Sequence, residues 1–358
     1  MPDHYSLIAF TDREGLHAAI PLNNKVNREI YLTFDDGIEA GTEEVIDLLN
    51  RKGVRGTFFL IGKRIESAYK RDKEMCLRVL KKIYENHAIG NHSYSHTNEH
   101  YSAYYNKGGV KIGGTDTNPI RRSVKDDFAK AKDTILFYLA IANGKNNPPT
   151  SFSEKYPAAK NQTKGLIRFP GTNTWYIKDK NIYTIKCINR DRAWYNLNPW
   201  SCTEDTKEEA LELGKHYNIF GWDCEWKMNA PHAVDLIRKK INEKEQTKTI
   251  DYLNIDDIDP YINLSDKKYI HYDRPEQSME NIKEELLDLV YKSPYNPFDN
   301  VAKTPEKVVL LMHEREFRKG ILKGNTVDLN DTTHLDKLGK LIDYFKRIKA
   351  KFNTLDKY

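Results

Sequence analysis

Cysteine is scarce in this chain. Its four residues, Cys76, Cys187, Cys202 and Cys224, form no C-x-x-C pair, which argues against a cysteine zinc site. An even count permits disulfides without requiring them in a chain of this size. Long apolar runs are also missing: no segment approaches the roughly 18 consecutive apolar residues of a membrane-spanning helix. The N-terminus, Met1-Pro2-Asp3-His4-Tyr5, has neither the basic start nor the apolar stretch of a signal peptide. That leaves a cytoplasmic protein, or a sequence that begins after a removed signal or anchor. There is no basic tail and no Lys/Arg block, so nucleic acid is not expected as a partner. There is no G-x-x-x-x-G-K phosphate loop, which counts against a phosphate enzyme built on paired aspartates. Internal repeats and low-complexity segments are absent too.

What is present reads as a soluble globular chain. Hydrophobic residues make up 39% and charged residues 30% of 358, enough for one large α/β domain with insertions or for two ordinary domains. The net charge of +5 is small and spread out, and would suit an anionic polymer such as a cell-wall glycan. Tyrosine is plentiful at 22 against 5 Trp; it stacks on sugars, but it also fills ordinary cores.

The apolar pattern has a β-α-β-α-β rhythm. Ile30 to Phe34 is a short apolar run, as expected for a buried parallel strand, and it ends at Asp35-Asp36-Gly37. Thr42 is the expected N-cap of a helix carrying Glu43 and Glu44 in its first turn, with Gly53 at its C-cap. Thr57 to Ile61 is a second strand, Met75 to Tyr84 a helix, and Ala88 to Gly90 a third strand ending at His92. Ser123-x-x-Asp126 opens a helix through Leu139. Strands are expected at 166–169, 218–222 and 308–312, and helices at 206–216, 232–243, 279–292 and 335–349. This order predicts a parallel sheet with right-handed crossovers. Residues 97–119 and 143–165 read as long surface loops, and 244–277 as a polar, acidic stretch with little periodicity.

Five polar clusters sit at or just after strand ends, where parallel α/β folds place their chemistry. In Thr33-Phe34-Asp35-Asp36-Gly37, two adjacent carboxylates are costly unless something cationic compensates them, although Asp-Gly is also a common turn. In Asn91-His92-Ser93-Tyr94-Ser95-His96, the two histidines share a face if the chain turns helically. Beside a carboxylate they make a three-ligand metal site with open positions; the bland reading is two unrelated surface histidines. Arg168-Phe169-Pro170-Gly171 offers a planar fork for a carboxylate or an ordinary ion pair. Trp222-Asp223-Cys224-Glu225-Trp226 sets two acids between two Trp, either shaping a pocket or packing a strand end. Leu311-Met312-His313-Glu314 puts a histidine at a strand end, as a proton donor or as a core residue.

Taken in this order, the five clusters resemble the polysaccharide deacetylase family, carbohydrate esterase family 4, the group with the nodulation-protein deacetylase homology domain. The motifs span residues 33–313. The resemblance implies a distorted (β/α) barrel of about seven strands, here a single domain over 1–358 with insertions at about 97–165 and 227–300. It implies one divalent metal, commonly zinc, on Asp36, His92 and His96. Asp35 would be the catalytic base, Arg168 would hold it, His313 would be the general acid, and Leu311 would line the acetyl pocket. The backbone N–H near Gly171 would help stabilise the oxyanion. Two departures stand out. Many relatives have Tyr where Gly171 follows Pro170, and here either Asp223 or Glu225 matches the acid before Trp. Whichever it is would support Arg168 or His313, with Trp222 and Trp226 lining the substrate side.

The implied activity is N-deacetylation of N-acetylglucosamine-type residues, with peptidoglycan ahead of chitin-like chains, in the cell envelope or outside the cell. Tyr94, Tyr101, Tyr104 and Tyr105 in the inserted loops would then wall a groove or simply pack. Two competing readings remain. A barrel amidase acting on a small non-sugar amide would be separated by substrate tests. A catalytically silent glycan-binding protein would bind metal without turnover.

Overall fold

A run that is apolar at every position buries both faces of a strand, and strands of this kind build the sheet. The computed structural model describes residues 28–96, 104–105, 108–145, 165–177, 206–226, 278–287, 307–319 and 332–358, with shorter pieces at 7–8, 11–12, 15–16, 20–21, 180, 182–185, 289, 321–323 and 326–328. Among the described residues, one row of the sheet holds seven parallel strands: β1 (Glu29–Asp35), β2 (Thr57–Leu60), β3 (Ala88–Asn91), β4 (Leu166–Ile167), β5 (Asn218–Ile219), β6 (Cys224–Glu225) and β7 (Lys307–His313). Their spatial order is β5-β4-β3-β2-β1-β7-β6. One continuous segment forms both ends of that row. Residues 218–219 pair with β4 and residues 224–225 pair with β7. The chain thus curls the sheet into a distorted barrel, as the motif order implied. Thr174–Ile177 and Ile182–Ile185 add an antiparallel pair beyond β5, and Lys351–Phe352 pairs with the start of β1.

The helices are α1 (Thr42–Lys52), α2 (Gly62–Arg71), α3 (Lys73–Asn86), α4 (Val124–Ala142), α5 (Thr206–Leu213), α6 (Met279–Leu287) and α7 (Thr333–Arg347). Most of their apolar stripes cover the outer face of the sheet: Val45, Leu49, Leu80, Ile83, Leu338 and Ile342 pack on Ile30, Leu32, Phe34, Phe58, Leu310 and Met312. The alternate strand residues point inward. Tyr31, Phe59, Ala88, Leu166, Phe220 and Val309, with Trp175 and Leu355, fill the barrel interior. Strand alternation then fixes what comes next at the upper end. Thr33 and Asp35 follow Tyr31, Leu311 and His313 follow Val309, and Arg168 follows Leu166.

Several expectations change on contact with the structure. Gly53 does cap α1 in the left-handed conformation, at φ 62. Thr42, however, is the first helical residue and not the N-cap. Gly41 takes the cap at φ 98, because a Cβ there would lie 2.1 Å from the Glu314 carbonyl oxygen; Thr42 Oγ1 instead accepts from the Glu39 N–H at 3.0 Å. Part of the expected loop 97–119 is a hairpin, Val110–Gly114 paired with Pro119–Arg122. The helix expected at 232–243, the acidic stretch 244–277, Tyr101, Cys187 and Cys202 lie outside the described residues. Among the described residues no helix is long and apolar enough to cross a membrane.

His87 links fold to pH. It sits just after α3, buried, and its Nδ1 accepts from the Gly56 N–H at 3.2 Å. Burial, with Arg55 adding to it, pushes this imidazole down to about 3. Between that value and about 6.5 the unfolded chain binds a proton that the folded chain refuses, so stability falls as pH drops through this window. His87→Asn keeps an acceptor for Gly56 and removes the titration. Denaturant unfolding from pH 7 to 4 is expected to show a pH slope flatter by up to about 1.4 kcal/mol per unit than that of the unaltered chain. Equal slopes would contradict this.

Candidate active site and metal centre

The adjacent carboxylates of Asp35 and Asp36 are resolved by sending them to different partners. Asp35 is the last residue of β1 and points inward. Its Oδ1 accepts from Arg168 Nη1 at 2.8 Å, and its Oδ2 lies 3.6 Å from His92 Nε2. Asp36 follows at φ 86, which breaks the strand alternation and keeps the second carboxylate at the mouth. Its Oδ1 is 3.2 Å from His96 Nε2 and 3.6 Å from His92 Nε2. Both acids are only 3% exposed, so their partners decide their charge. Burial raises Asp35 above its ordinary range, although Arg168 and His92 pull it down. Burial alone would raise Asp36 as well, but His96, Arg64, Arg315 and His313 hold it well below.

The histidines reach Asp36 by an irregular turn and not by the helical one that their spacing suggested. Ser93 and His96 take φ of 67 and 52, left-handed values that are uncommon outside glycine and gather at functional sites. Polar ties hold the turn. Asn91 Oδ1 accepts from the Ser93 N–H, Ser93 Oγ accepts from the His96 N–H, and buried Asp127 in the first turn of α4 accepts from the Ser95 N–H and hydroxyl. His92 Nδ1 stands 2.9 Å from the Arg168 carbonyl. A carbonyl only accepts, so Nδ1 carries a hydrogen and Nε2 is the nitrogen turned to the aspartates. Burial pushes His96 down to about 3.

One atom tests whether a cation fits here. Asp36 Oδ1 is buried and accepts no hydrogen bond, yet it faces the Nε2 atoms of two imidazoles. The three ligand atoms lie within 4.8 Å of one another. Three electron-rich atoms converging with no donor between them suit a divalent cation with nitrogen and oxygen ligands.

Arg168 is fully buried and uses its whole fork. Nη1 donates to Thr33 Oγ1 and Asp35, Nη2 to the Gly221 carbonyl at 2.7 Å, and Nε to the Phe220 carbonyl at 3.1 Å. Its face lies 4.3 Å above the Phe59 ring. Gly90 makes room for that ring, since a Cβ there would come within 2.2 Å of it. His313, at the end of β7 and level with Asp35 in register, has Nε2 3.9 Å from Asp36 Oδ2 and Nδ1 3.6 Å from Glu316 Oε1. Burial, reinforced by Arg315, pushes His313 well below its usual range.

The remaining candidates divide. Glu225 is level with Leu311, and its charge acts on Arg168. Asp223 instead accepts from the Val309 N–H at 2.9 Å, tying β6 to β7. Leu311 is buried on the inward face between Val309 and His313. Gly171 turns at φ 68, and half-buried Trp222 lies beside the Arg168 guanidinium. Trp226 is a correction. It is fully buried in the outer core, edge-on to Phe317, because it faces outward with Leu310 and Met312, so it lines no substrate surface. Of the two readings open for Tyr104 and Tyr105, burial favours packing: they are 1% and 4% exposed, and their hydroxyls donate to Asp127 and to the Pro170 carbonyl. Tyr94 is covered by Lys130, whose Nζ is 3.6 Å from the ring centroid.

This geometry agrees with comparisons to known proteins. The polysaccharide deacetylase family model matches residues 23–141, the stretch that carries Asp35, Asp36, His92 and His96. Through these residues the chain is similar to the polysaccharide deacetylase family. It is 24% identical to the chitin disaccharide deacetylase of Vibrio alginolyticus over 92% of this chain and 71% of that one. It is 40% identical to the peptidoglycan-N-acetylmuramic acid deacetylase of Bacillus subtilis, over 22% of this chain and only 27% of that relative's length. A solved Streptococcus mutans CE4 esterase superposes with a TM-score of 0.42 at 17% identity, covering 92% of this chain and 86% of that one.

Around this site the sequence reading missed four charged residues. Arg315 Nη1 donates to Asp36 Oδ2. Arg64 Nη1 lies 3.6 Å from that oxygen and donates to the Asp36 carbonyl. Glu39 accepts from Arg64 and from the Arg315 N–H, and Glu316 faces His313. A signal was there to be read: His313-Glu314-Arg315-Glu316 is dense in charge directly after a buried strand.

Proposed function

We propose that this chain hydrolyses the N-acetyl groups of N-acetylglucosamine-type residues in a polysaccharide, peptidoglycan first and chitin-like chains second, with one divalent cation, zinc, held by Asp36, His92 and His96. The observation that carries the reading is the division of the aspartate pair: one carboxylate is locked on a buried arginine, while the other turns a bare oxygen to two imidazoles. A cation bound there would act as a Lewis acid on the amide carbonyl and on an attacking water.

The chain's own groups supply the rest. Asp35, raised by burial and held by Arg168, takes a proton from the water as it attacks. The Gly171 N–H stabilises the charge developing on the carbonyl oxygen. Leu311 shapes the space for the acetyl methyl, and Trp222 bounds the substrate side. His313 returns a proton to the departing amine, which is otherwise a poor leaving group. Arg315 and Arg64 occupy Asp36 Oδ2, so Asp36 offers a cation Oδ1 alone. The small positive charge favours an anionic wall polymer, and we place the protein at the cell envelope or outside the cell, where such polymers lie.

Acetate release from peptidoglycan, chitin oligomers, poly-N-acetylglucosamine and acetylxylan, before and after chelation, tests the proposal. The expected result is release from the N-acetylated glycans, greatest from peptidoglycan, lost on chelation and restored by zinc. Activity on acetylxylan alone would contradict the amide chemistry.

A further inference from the structure

The Gly171 N–H belongs to a turn with a soft joint. The chain leaves β4 through Arg168 and reverses over Phe169, Pro170, Gly171 and Thr172, where the Thr172 N–H donates to the Phe169 carbonyl at 3.4 Å. Pro170 stands second in this turn and Gly171 third, at φ 68. Proline followed by a residue of positive φ is the type II arrangement. Type I differs from it chiefly by a flip of the middle peptide, here the one that joins the Pro170 carbonyl to the Gly171 N–H. Glycine tolerates either form, so Gly171 does not itself decide which way its N–H points. Gly171 is exposed, and no described residue accepts from that N–H.

The other end of the same peptide is held. The Tyr105 hydroxyl donates to the Pro170 carbonyl at 2.9 Å. Tyr105 is 4% exposed. Its ring stacks on Phe169, with centroids 5.7 Å apart and planes inclined by 19°, and it meets Tyr104 edge-on at 4.9 Å. Val110, Val124 and Phe128 belong to the same core. A hydroxyl on a ring packed this closely has a fixed position. In a trans peptide the N–H points away from the C=O, so gripping the carbonyl aims the N–H.

We infer that Tyr105 is the positioning residue of the Gly171 N–H: it holds the Pro170 carbonyl, keeps the turn in its type II form and so presents the N–H to the oxyanion. The inference rests on the deacetylase reading, in which water adds to the amide carbon, the carbonyl electron pair moves to oxygen, and the Gly171 N–H donates to that oxygen. A hydrogen bond accepted by the carbonyl of a peptide also polarises its N–H and strengthens it as a donor. Tyr105 touches no reacting atom.

Tyr105→Phe tests this, because it deletes the hydroxyl and keeps the stacked ring. Its kcat on an N-acetylglucosamine oligomer is expected to fall about 10- to 100-fold, part of the roughly 10²- to 10³-fold that a deleted oxyanion donor costs. KM should stay within about two-fold, and the zinc content should not change. The decisive readout is a methylphosphonamidate of glucosamine, whose tetrahedral P–O⁻ stands in for the oxyanion. Its inhibition constant should rise by the same factor as kcat falls, since only the transition state meets the donor. Gly171→Ala, which disfavours the positive φ, should show the same signature, and Gly171→Asn, which tolerates it, a smaller one. Unaltered kcat in Tyr105→Phe, or a loss of kcat with unaltered affinity for the phosphonamidate, would overturn the inference while leaving the deacetylase reading intact. So would wild-type values in Gly171→Ala. A wild-type chain that releases no acetate from any N-acetylated glycan would overturn both.

Discussion

Asp35→Asn is expected to fold normally and to turn over N-acetylated glycan about 10²- to 10⁴-fold more slowly, the usual contribution of a general base. The change is nearly isosteric. The Asn carbonyl oxygen can still accept from Arg168 Nη1, which stands 2.8 Å from Asp35 Oδ1, so the inner ring of hydrogen bonds has a substitute. What disappears is the proton acceptor. Asp35 is set for that task by opposing effects: burial raises it, while Arg168 and His92 pull it down. The loss should fall on kcat with KM little altered, because the group acts on the reacting water and not on the sugar. Wild-type acetate release from Asp35→Asn would show that the base lies elsewhere.

The second large effect is on stability. Arg168 is fully buried and donates to Asp35, Thr33 and the carbonyls of Phe220 and Gly221. Removing one partner of a buried charge pair leaves the other uncompensated and typically costs about 3–5 kcal/mol. Arg168→Met keeps the length and deletes the fork. It also strands Asp35 and two carbonyls at the joint where β5 passes over to β6. Urea unfolding is expected to show a midpoint lowered accordingly, and activity should fall with it. Arg168→Lys should not restore either, since a single ammonium cannot reach four acceptors set around a planar fork. An unfolding midpoint within error of wild type would mean that the fork is not what holds the barrel's upper end.

How much of this was legible in the sequence depended on the range of the interaction. β1, β2, β3 and β7 were readable because a strand buried on both faces needs apolar residues at nearly every position. The five strand-end clusters were readable because few other arrangements put paired acids and spaced histidines there. α2 was not foreseen: Gly62-Lys63-Arg64-Ile65 opens with charge and shows its stripe only once Ile65 and Ala68 meet α3 and α4. The N-cap of α1 was misassigned because Gly41 is required by a carbonyl from Glu314, far away in the chain. Trp226 was placed near substrate on residue type and Tyr104 was left between groove and core, because the direction each side chain takes comes from strand alternation and from Asp127. Arg64 gave no local sign that it meets Asp36, and the charge density around Arg315 did not say where its side chain would go, since that pairing exists only after the barrel curls. Asp223 and Glu225 could be told apart only once β6 was seen beside β7.

The central claim is that two neighbouring aspartates do different work, Asp36 as a ligand and Asp35 as a base. Cation stoichiometry measured side by side in Asp35→Asn and Asp36→Asn, purified identically and loaded with zinc, tests it without any reliance on turnover. The account predicts about one zinc per chain in Asp35→Asn, as in the unaltered protein, and little or none in Asp36→Asn. Equal zinc in the two variants, or loss from Asp35→Asn alone, would contradict it.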